Sequence, residues 1–367
     1  MSTFGISKLN LVGTAVVVAA ILAASYVVAR TPSDLLGGEI VSRAAPGAPG
    51  AEIAYTLAPG RSAADVGRDL ERLGVIRSGR QFELLASLMG VQGKLSAGDY
   101  ILRKGTAAPS VVNELALKEA VPVLKVTFPE GIRIEEMAVI AEKAQFGTRQ
   151  QFLDAVAAVQ PPAEIAAMLP PEGSVPGLRL QGFLFPDTYI LAVGSSPAKL
   201  VDLMLQTFLK RFTPELRAAA QVHGMTPYQA IALAAVVERE AVLETERPLI
   251  AGVFYNRIAE GDMLGADPTV QFAVALNADS VAKYGYWKKE LTAEDLANKS
   301  GYNTRLVAGL PPGPITNPGL ASIKAVAEPT KTKFYYFVAD AKKNDGSHVF
   351  AETLKQHQQN IARVGGP

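Results

Sequence analysis

The stretch Tyr228–Val242, YQAIALAAVVEREAV, constrains the fold most. The helix it predicts is largely apolar around its wheel. Its start is written in Thr226, Pro227, Tyr228 and Gln229. Thr226 can cap, Pro227 suits the first turn, where a missing N–H leaves nothing unbonded, and Gln229 can close a capping box. Into this helix the chain places Glu238, which falls on the wheel among Ile231, Ala234, Ala235 and Val242. A carboxylate there loses solvation, and its pKa climbs from about 4.3 unless a partner keeps it charged. Two roles fit: a general acid, or a buried structural glutamate paired with an arginine or a backbone donor. Glu240 lies roughly on the opposite face, where an ion pair with an arginine is its expected role.

The 367 residues suffice for two or three domains with a substantial core. Thirty-six basic residues nearly cancel thirty-five acidic ones, so no global field points to nucleic acid. The absence of cysteine excludes disulfides, thiolate zinc sites and cysteine nucleophiles. His223, His348 and His357 are scattered, which argues against a histidine metal cluster. No metal or organic cofactor is expected.

Leu11–Ala29 carries no charge. At about 1.5 Å per residue it just spans a bilayer's hydrocarbon core, and it exceeds the apolar core of about 7–15 residues typical of a signal peptide. Residues 1–30 therefore read as a short tip and a single transmembrane anchor. Residues 31–50, rich in Gly, Pro, Ala and Ser, read as a tether. The fold class is α+β. Residues 51–118 predict a small module: a strand at 51–57, a helix capped by Ser62 and ended by Gly74, a helix over Gln81–Met89, a strand at Tyr100–Arg103 and a short helix at Ser110–Ala116. Residues 119–363 predict a mixed α/β domain. Its strands are Val123–Phe128 and a buried Phe334–Ala339. Its helices cover Ile134–Ala144, start at Pro197, Pro214 and Pro227, run from Glu246 to Ala259, and end with Thr353–Arg363. His348–Glu352 leads into that last helix, and 160–181 reads as irregular.

Several segments together resemble the MltG/YceG-like endolytic murein transglycosylases. They are GFLFPDTY at 182–189, ALAAVVERE at 232–240, AGVFYNRIAEGDMLGADPTV at 251–270, YNTRLVAGLPPGPITNPG at 302–319, FYYFVAD at 334–340 and HVFAETLKQH at 348–357. The resemblance covers roughly 120–363. It implies that 51–118 is a LysM-like module and that the body lies on the extracytoplasmic side of the bacterial inner membrane. It also implies peptidoglycan glycan strands as substrate and peptidoglycan synthases as neighbours. Glu238 matches the family's catalytic glutamate. Where family members often carry Glu before the GxLFPDTY-like segment, this chain has Gln181.

The implied reaction cleaves a MurNAc–GlcNAc linkage without water. Glu238 protonates the bridging oxygen, the sugar's own 6-hydroxyl attacks the anomeric carbon, and the same carboxylate accepts the hydroxyl proton. The product is a 1,6-anhydroMurNAc end. One carboxylate then suffices, unlike the usual two-carboxylate hydrolase. A non-catalytic glycan-binding scaffold and a hydrolytic muramidase are the alternatives.

Candidate substrate contacts are Asn256, Arg257, Asp267, Tyr302, Asn303, Thr304, Asn317 and Tyr189. Several have a structural alternative: Arg257 in an ion pair, Asp267 as the N-cap before Pro268, Tyr189 packed with its hydroxyl satisfied. Asn303 is the preferred sugar contact. Pro311, Pro312, Gly313 and Pro314 stiffen a loop that suits a groove wall.

Overall fold

The computed structural model describes residues 50–117, 122–171, 173 and 179–365. The expected anchor at 11–29 and nearly all of the tether lie outside them. Among the described residues, no helix is long and apolar enough to cross a membrane. The chain divides into two units, 1–121 and 122–367.

In the first unit β1 (Glu52–Leu57) is followed by α1 (Ala63–Arg72), α2 (Gly79–Leu88), β2 (Gly98–Arg103) and α3 (Ala108–Leu117). Ser62 caps α1 by accepting the Asp65 N–H at 3.1 Å, and Ser78 does the same for α2. β1 and β2 pair antiparallel with Tyr55 opposite Tyr100. Alternation sends Tyr55, Leu57, Tyr100 and Leu102 inward onto Val66, Leu70, Phe82 and Val111. Two glycines let α1 meet the start of α2: a Cβ on Gly67 would lie 2.4 Å from the Gly79 carbonyl oxygen.

The second unit opens with β3 (Val123–Thr127), α4 (Ile134–Lys143), α5 (Arg149–Ala158), α6 (Ala163–Met168) and β4 (Thr188–Ala192). α7 (Pro197–Arg211), α8 (Pro214–Val222), α9 (Pro227–Glu240), α10 (Arg247–Ala259) and α11 (Asp267–Val274) follow. The unit ends with α12 (Ala278–Tyr284), α13 (Ala293–Leu296), α14 (Leu320–Ala327), β5 (Tyr336–Ala339), β6 (His348–Ala351) and α15 (Leu354–Val364). β3 pairs antiparallel with β4, and β5 with β6.

The enclosed helix is α9. Its capping box forms as expected, and Ala230 through Val237 are all buried. It packs against α8, α10, α11 and α14. It stops at Glu240, because Ala241 turns to extended backbone at φ −86° and ψ 119°. Val242 is 71% exposed. The run Phe334–Ala339 becomes a strand only from Tyr336 and is half-buried, and 160–181 contains the short helix α6.

α10 carries the approach to β5. Thr330 N–H bonds the Pro248 carbonyl at 2.9 Å, and the Asn256 amide donates to the carbonyls of Thr332 and Phe334 at 3.0 and 2.8 Å. Gly252 makes this approach possible: a Cβ there would sit 2.2 Å from the Thr330 carbonyl oxygen. Backbone cannot yield like a flexible side chain, so Gly252→Ala is expected to destabilise by about 1–3 kcal/mol. Chemical denaturation checks it, and an unchanged midpoint would contradict the close packing.

Candidate active site

The end of α9 carries two glutamates in opposite circumstances. Glu238 is braced on both oxygens. Oε1 accepts from Arg247 Nη2 at 3.1 Å, and Oε2 accepts from the Gly319 N–H at 3.0 Å. The Glu238 side chain is 6% exposed and that of Arg247 12%. This pairing is the structural alternative of the sequence reading, which set it beside a general acid at Glu238. The physical reason is the apolar wheel itself, since a residue on that face points into the protein and needs a partner. Nearby, burial and then the Glu238 charge push the Glu130 carboxyl up.

Glu240, two residues on, opens into a cleft of about 480 Å³. Around it stand Arg257 of α10, Asp267 at the start of α11, Arg305, Tyr336 of β5, His348 of β6 and His357 of α15. Burial raises the Glu240 carboxyl to about 7, and the Asp267 charge adds to it, against the pull of Arg305, Arg257 and Arg239. Its place at a helix C-terminus further disfavours negative charge. The three guanidiniums leave it largely unneutralised because each is engaged elsewhere. Arg305 Nε bonds Asp267 at 2.5 Å. Arg257 donates to the Tyr335 and Leu264 carbonyls at 2.6 and 2.5 Å. Arg239 lies 3.9 Å over the Trp287 ring. Among the described residues no arginine forms the expected ion pair with Glu240. The result is a carboxyl able to hold or release a proton near neutrality beside a space that admits a ligand.

The other sequence candidates divide between wall and scaffold. Arg257 and Asp267 reach the cleft. Asp267 does not cap α11; Ala266 holds that position and Asp267 faces Arg305 at the rim. Asn256 anchors the chain entering β5 instead of facing the cleft.

Asn303 and Thr304 are fully buried, so the expected sugar contact at Asn303 gives way to a structural role. Its amide donates to the Leu296 and Asn298 carbonyls at 2.9 and 2.8 Å, and its oxygen accepts the Arg305 N–H at 3.0 Å. Thr304 bonds Thr269 at 2.8 Å and accepts the Ala266 N–H at 3.2 Å. The pair thus fixes the backbone that presents Arg305 and Asp267. Tyr302 is buried against Phe272, with ring centroids 4.6 Å apart.

Asn317 joins three segments. Its oxygen accepts the Gly182 and Leu184 N–H groups at 3.0 and 3.2 Å, and its amide donates to the Ile132 carbonyl at 3.1 Å. Tyr189 is buried with its hydroxyl on the Phe185 carbonyl at 2.6 Å, which fits packing and not sugar stacking. Gln181 is buried and accepts the Ile134 N–H at 3.0 Å, bonding the start of α4, while its amide nitrogen has no partner among the described residues.

Sequence reasoning passed over Arg305, Tyr336, His348 and His357 as cleft residues. The signal available was the clustering of His348, His357 and Tyr336 within two short C-terminal segments.

Residues 55–363 match the YceG-like family. An endolytic murein transglycosylase of Bacillus subtilis (strain 168) is 28% identical over 299 residues, covering 79% of this chain and 78% of that protein. One of Streptococcus pneumoniae serotype 2 (strain D39) is 29% identical over 315 residues, 81% of this chain. The chain spans 56% of the length of that streptococcal relative. A solved structure of a YceG-like protein from Listeria monocytogenes superposes with a TM-score of 0.55 at 27% identity, covering 85% of this chain and 99% of that one.

Proposed function

The chain belongs to the YceG-like family, and from that premise we propose that it is an endolytic murein transglycosylase. It cleaves MurNAc–GlcNAc linkages within peptidoglycan glycan strands and leaves 1,6-anhydroMurNAc ends. The relatives named as endolytic murein transglycosylases support this activity. One observation carries the chemistry: Glu240 faces a cleft with its carboxyl raised to about 7. A glycosidic oxygen is a poor leaving group until protonated, and Glu240 supplies that proton. Asp267 and Arg305 at the rim offer hydrogen bonds to sugar hydroxyls. Glu238, the residue first matched to the family's catalytic position, holds Arg247 and the Gly319 backbone in place behind the acid.

The charge-free stretch at 11–29 supports a single-pass anchor in the bacterial inner membrane, with the catalytic unit on the extracytoplasmic side where glycan strands lie. The β–α–α–β order of the first unit supports a LysM-like module. Peptidoglycan synthases are the expected neighbours during wall growth.

The test is digestion of purified glycan strands by the full-length protein, followed by mass spectrometry of the ends. Anhydro ends are expected. Water-containing reducing ends would point to hydrolysis, and no cleavage to a binding scaffold. The rate should also fall as pH rises through about 7, because the donor form of Glu240 is lost there. A rate that keeps rising well above that pH would contradict the assignment of the acid.

A further inference from the structure

Resting on that reading, we infer that His348, held by Glu246, accepts the proton of the attacking sugar hydroxyl. His348 stands on β6 and lines the cleft into which Glu240 opens. Glu246 grips it twice. One carboxylate oxygen lies 2.7 Å from Nδ1, and the other accepts the His348 backbone N–H at 3.0 Å. The ring also stands edge-on to Phe337, 5.4 Å between centroids at 88°. The two side chains are 7% and 16% exposed, so the carboxylate is well placed to orient the ring and to stabilise an imidazolium.

The tautomer follows from the grip. A carboxylate only accepts, so Nδ1 carries the hydrogen and Nε2 is bare. Among the described residues no protein group bonds Nε2, which leaves it to the cleft. A bare ring nitrogen there is suited to accept from a hydroxyl, which an unpaired structural histidine in a hairpin would not require.

The step balances without water or a co-reactant. The C6 oxygen forms its bond to C1 as the bond from C1 to the bridging oxygen breaks. The hydroxyl proton passes to His348 Nε2, and the Glu240 proton passes to the departing oxygen. The cleft ends with an imidazolium and a carboxylate, and one proton moving back through solvent restores both. Glu240 is thereby relieved of serving as base in the same turnover in which it is the acid.

Glu246→Gln tests this because it keeps both hydrogen bonds while it switches the tautomer and removes the charge that stabilises an imidazolium. The His348 backbone N–H can only donate, so it fixes the amide oxygen on its own side. The amide nitrogen then faces Nδ1, Nδ1 becomes the acceptor, and Nε2 carries the hydrogen. With full-length protein and purified glycan strands, kcat is expected to fall about 100-fold, within the usual range for a lost proton-transfer group, with KM and melting temperature close to wild type. His348→Asn should lose as much, since its amide can replace the Nδ1 donor but nothing at Nε2. If Glu246→Gln fails to fold, His348→Asn decides alone. Folded variants with wild-type kcat would overturn the inference while leaving the transglycosylase reading intact. A wild-type protein that releases no anhydro ends would overturn both.

Discussion

Glu240→Gln is expected to lower the rate of anhydro-end formation by about 1,000-fold, in the middle of the range for a lost general acid. Glutamine keeps the size and the hydrogen-bonding shape of the side chain but has no proton to give. The fold should not suffer. The carboxyl is raised in the folded state, so its contribution to stability is fully present below the unfolded value near 4.5 and is lost as pH rises through about 7. At pH 8 wild type carries a desolvated charge that the glutamine variant lacks. The variant should therefore melt no lower than wild type at pH 8, and its advantage should be larger there than at pH 5. Initial rates and melting curves at both pH values check this. A folded Glu240→Gln with wild-type turnover would remove Glu240 from the chemistry.

The second large effect belongs to the brace behind the acid. Arg247→Ala leaves the Glu238 carboxylate buried without its cation, and losing one member of such a pair typically costs about 3–5 kcal/mol. Removing both charges together should be far milder. In the double variant Glu238→Gln, Arg247→Met, the glutamine oxygen still accepts the Gly319 N–H and no lone charge remains. That variant is expected to recover most of the lost stability and to keep turnover within about tenfold of wild type, since proton transfer itself is untouched. Urea denaturation and strand digestion read the two quantities separately. A stable but inactive double variant would return the catalytic role to Glu238.

The fold was legible where local chemistry is strong. Thr226 caps α9 as expected, the helices expected to start at Pro197 and Pro214 do so behind the caps Ser196 and Thr213, and the largely apolar wheel of α9 matches a helix with Ala230–Val237 buried. β4 was not legible, because TYILA follows a Pro-Asp turn and becomes a strand only by pairing with β3, more than sixty residues earlier. α12 and α13 are short and bury no residue, so no apolar face marks them in the sequence, and α14 spans only eight residues.

The site was half legible. The sequence led to this helical turn and to Glu238, whereas the glutamate that opens into the cleft, and that we propose as the acid, is Glu240. Val242 was counted on the wheel, yet the helix ends before it with neither glycine nor proline to announce the stop. The apolar neighbours that made Glu238 look sheltered in fact place it among core elements, where Arg247 meets it. A useful acid sits at the boundary between core and cleft, and the boundary is set by β5, β6 and α15, roughly a hundred residues or more away. For the same reason Asn303 and Thr304, polar residues that suggested a sugar surface, turn out to hold the loop that bears Arg305.

The most direct test is a carbon-13 NMR titration of the glutamate side-chain carboxyls, with the Glu240 resonance assigned by its loss in Glu240→Gln. A midpoint near 7 is expected for that one signal. A midpoint near the ordinary glutamate value of about 4.3 would mean that the cleft holds a plain carboxylate with no proton to donate at neutral pH.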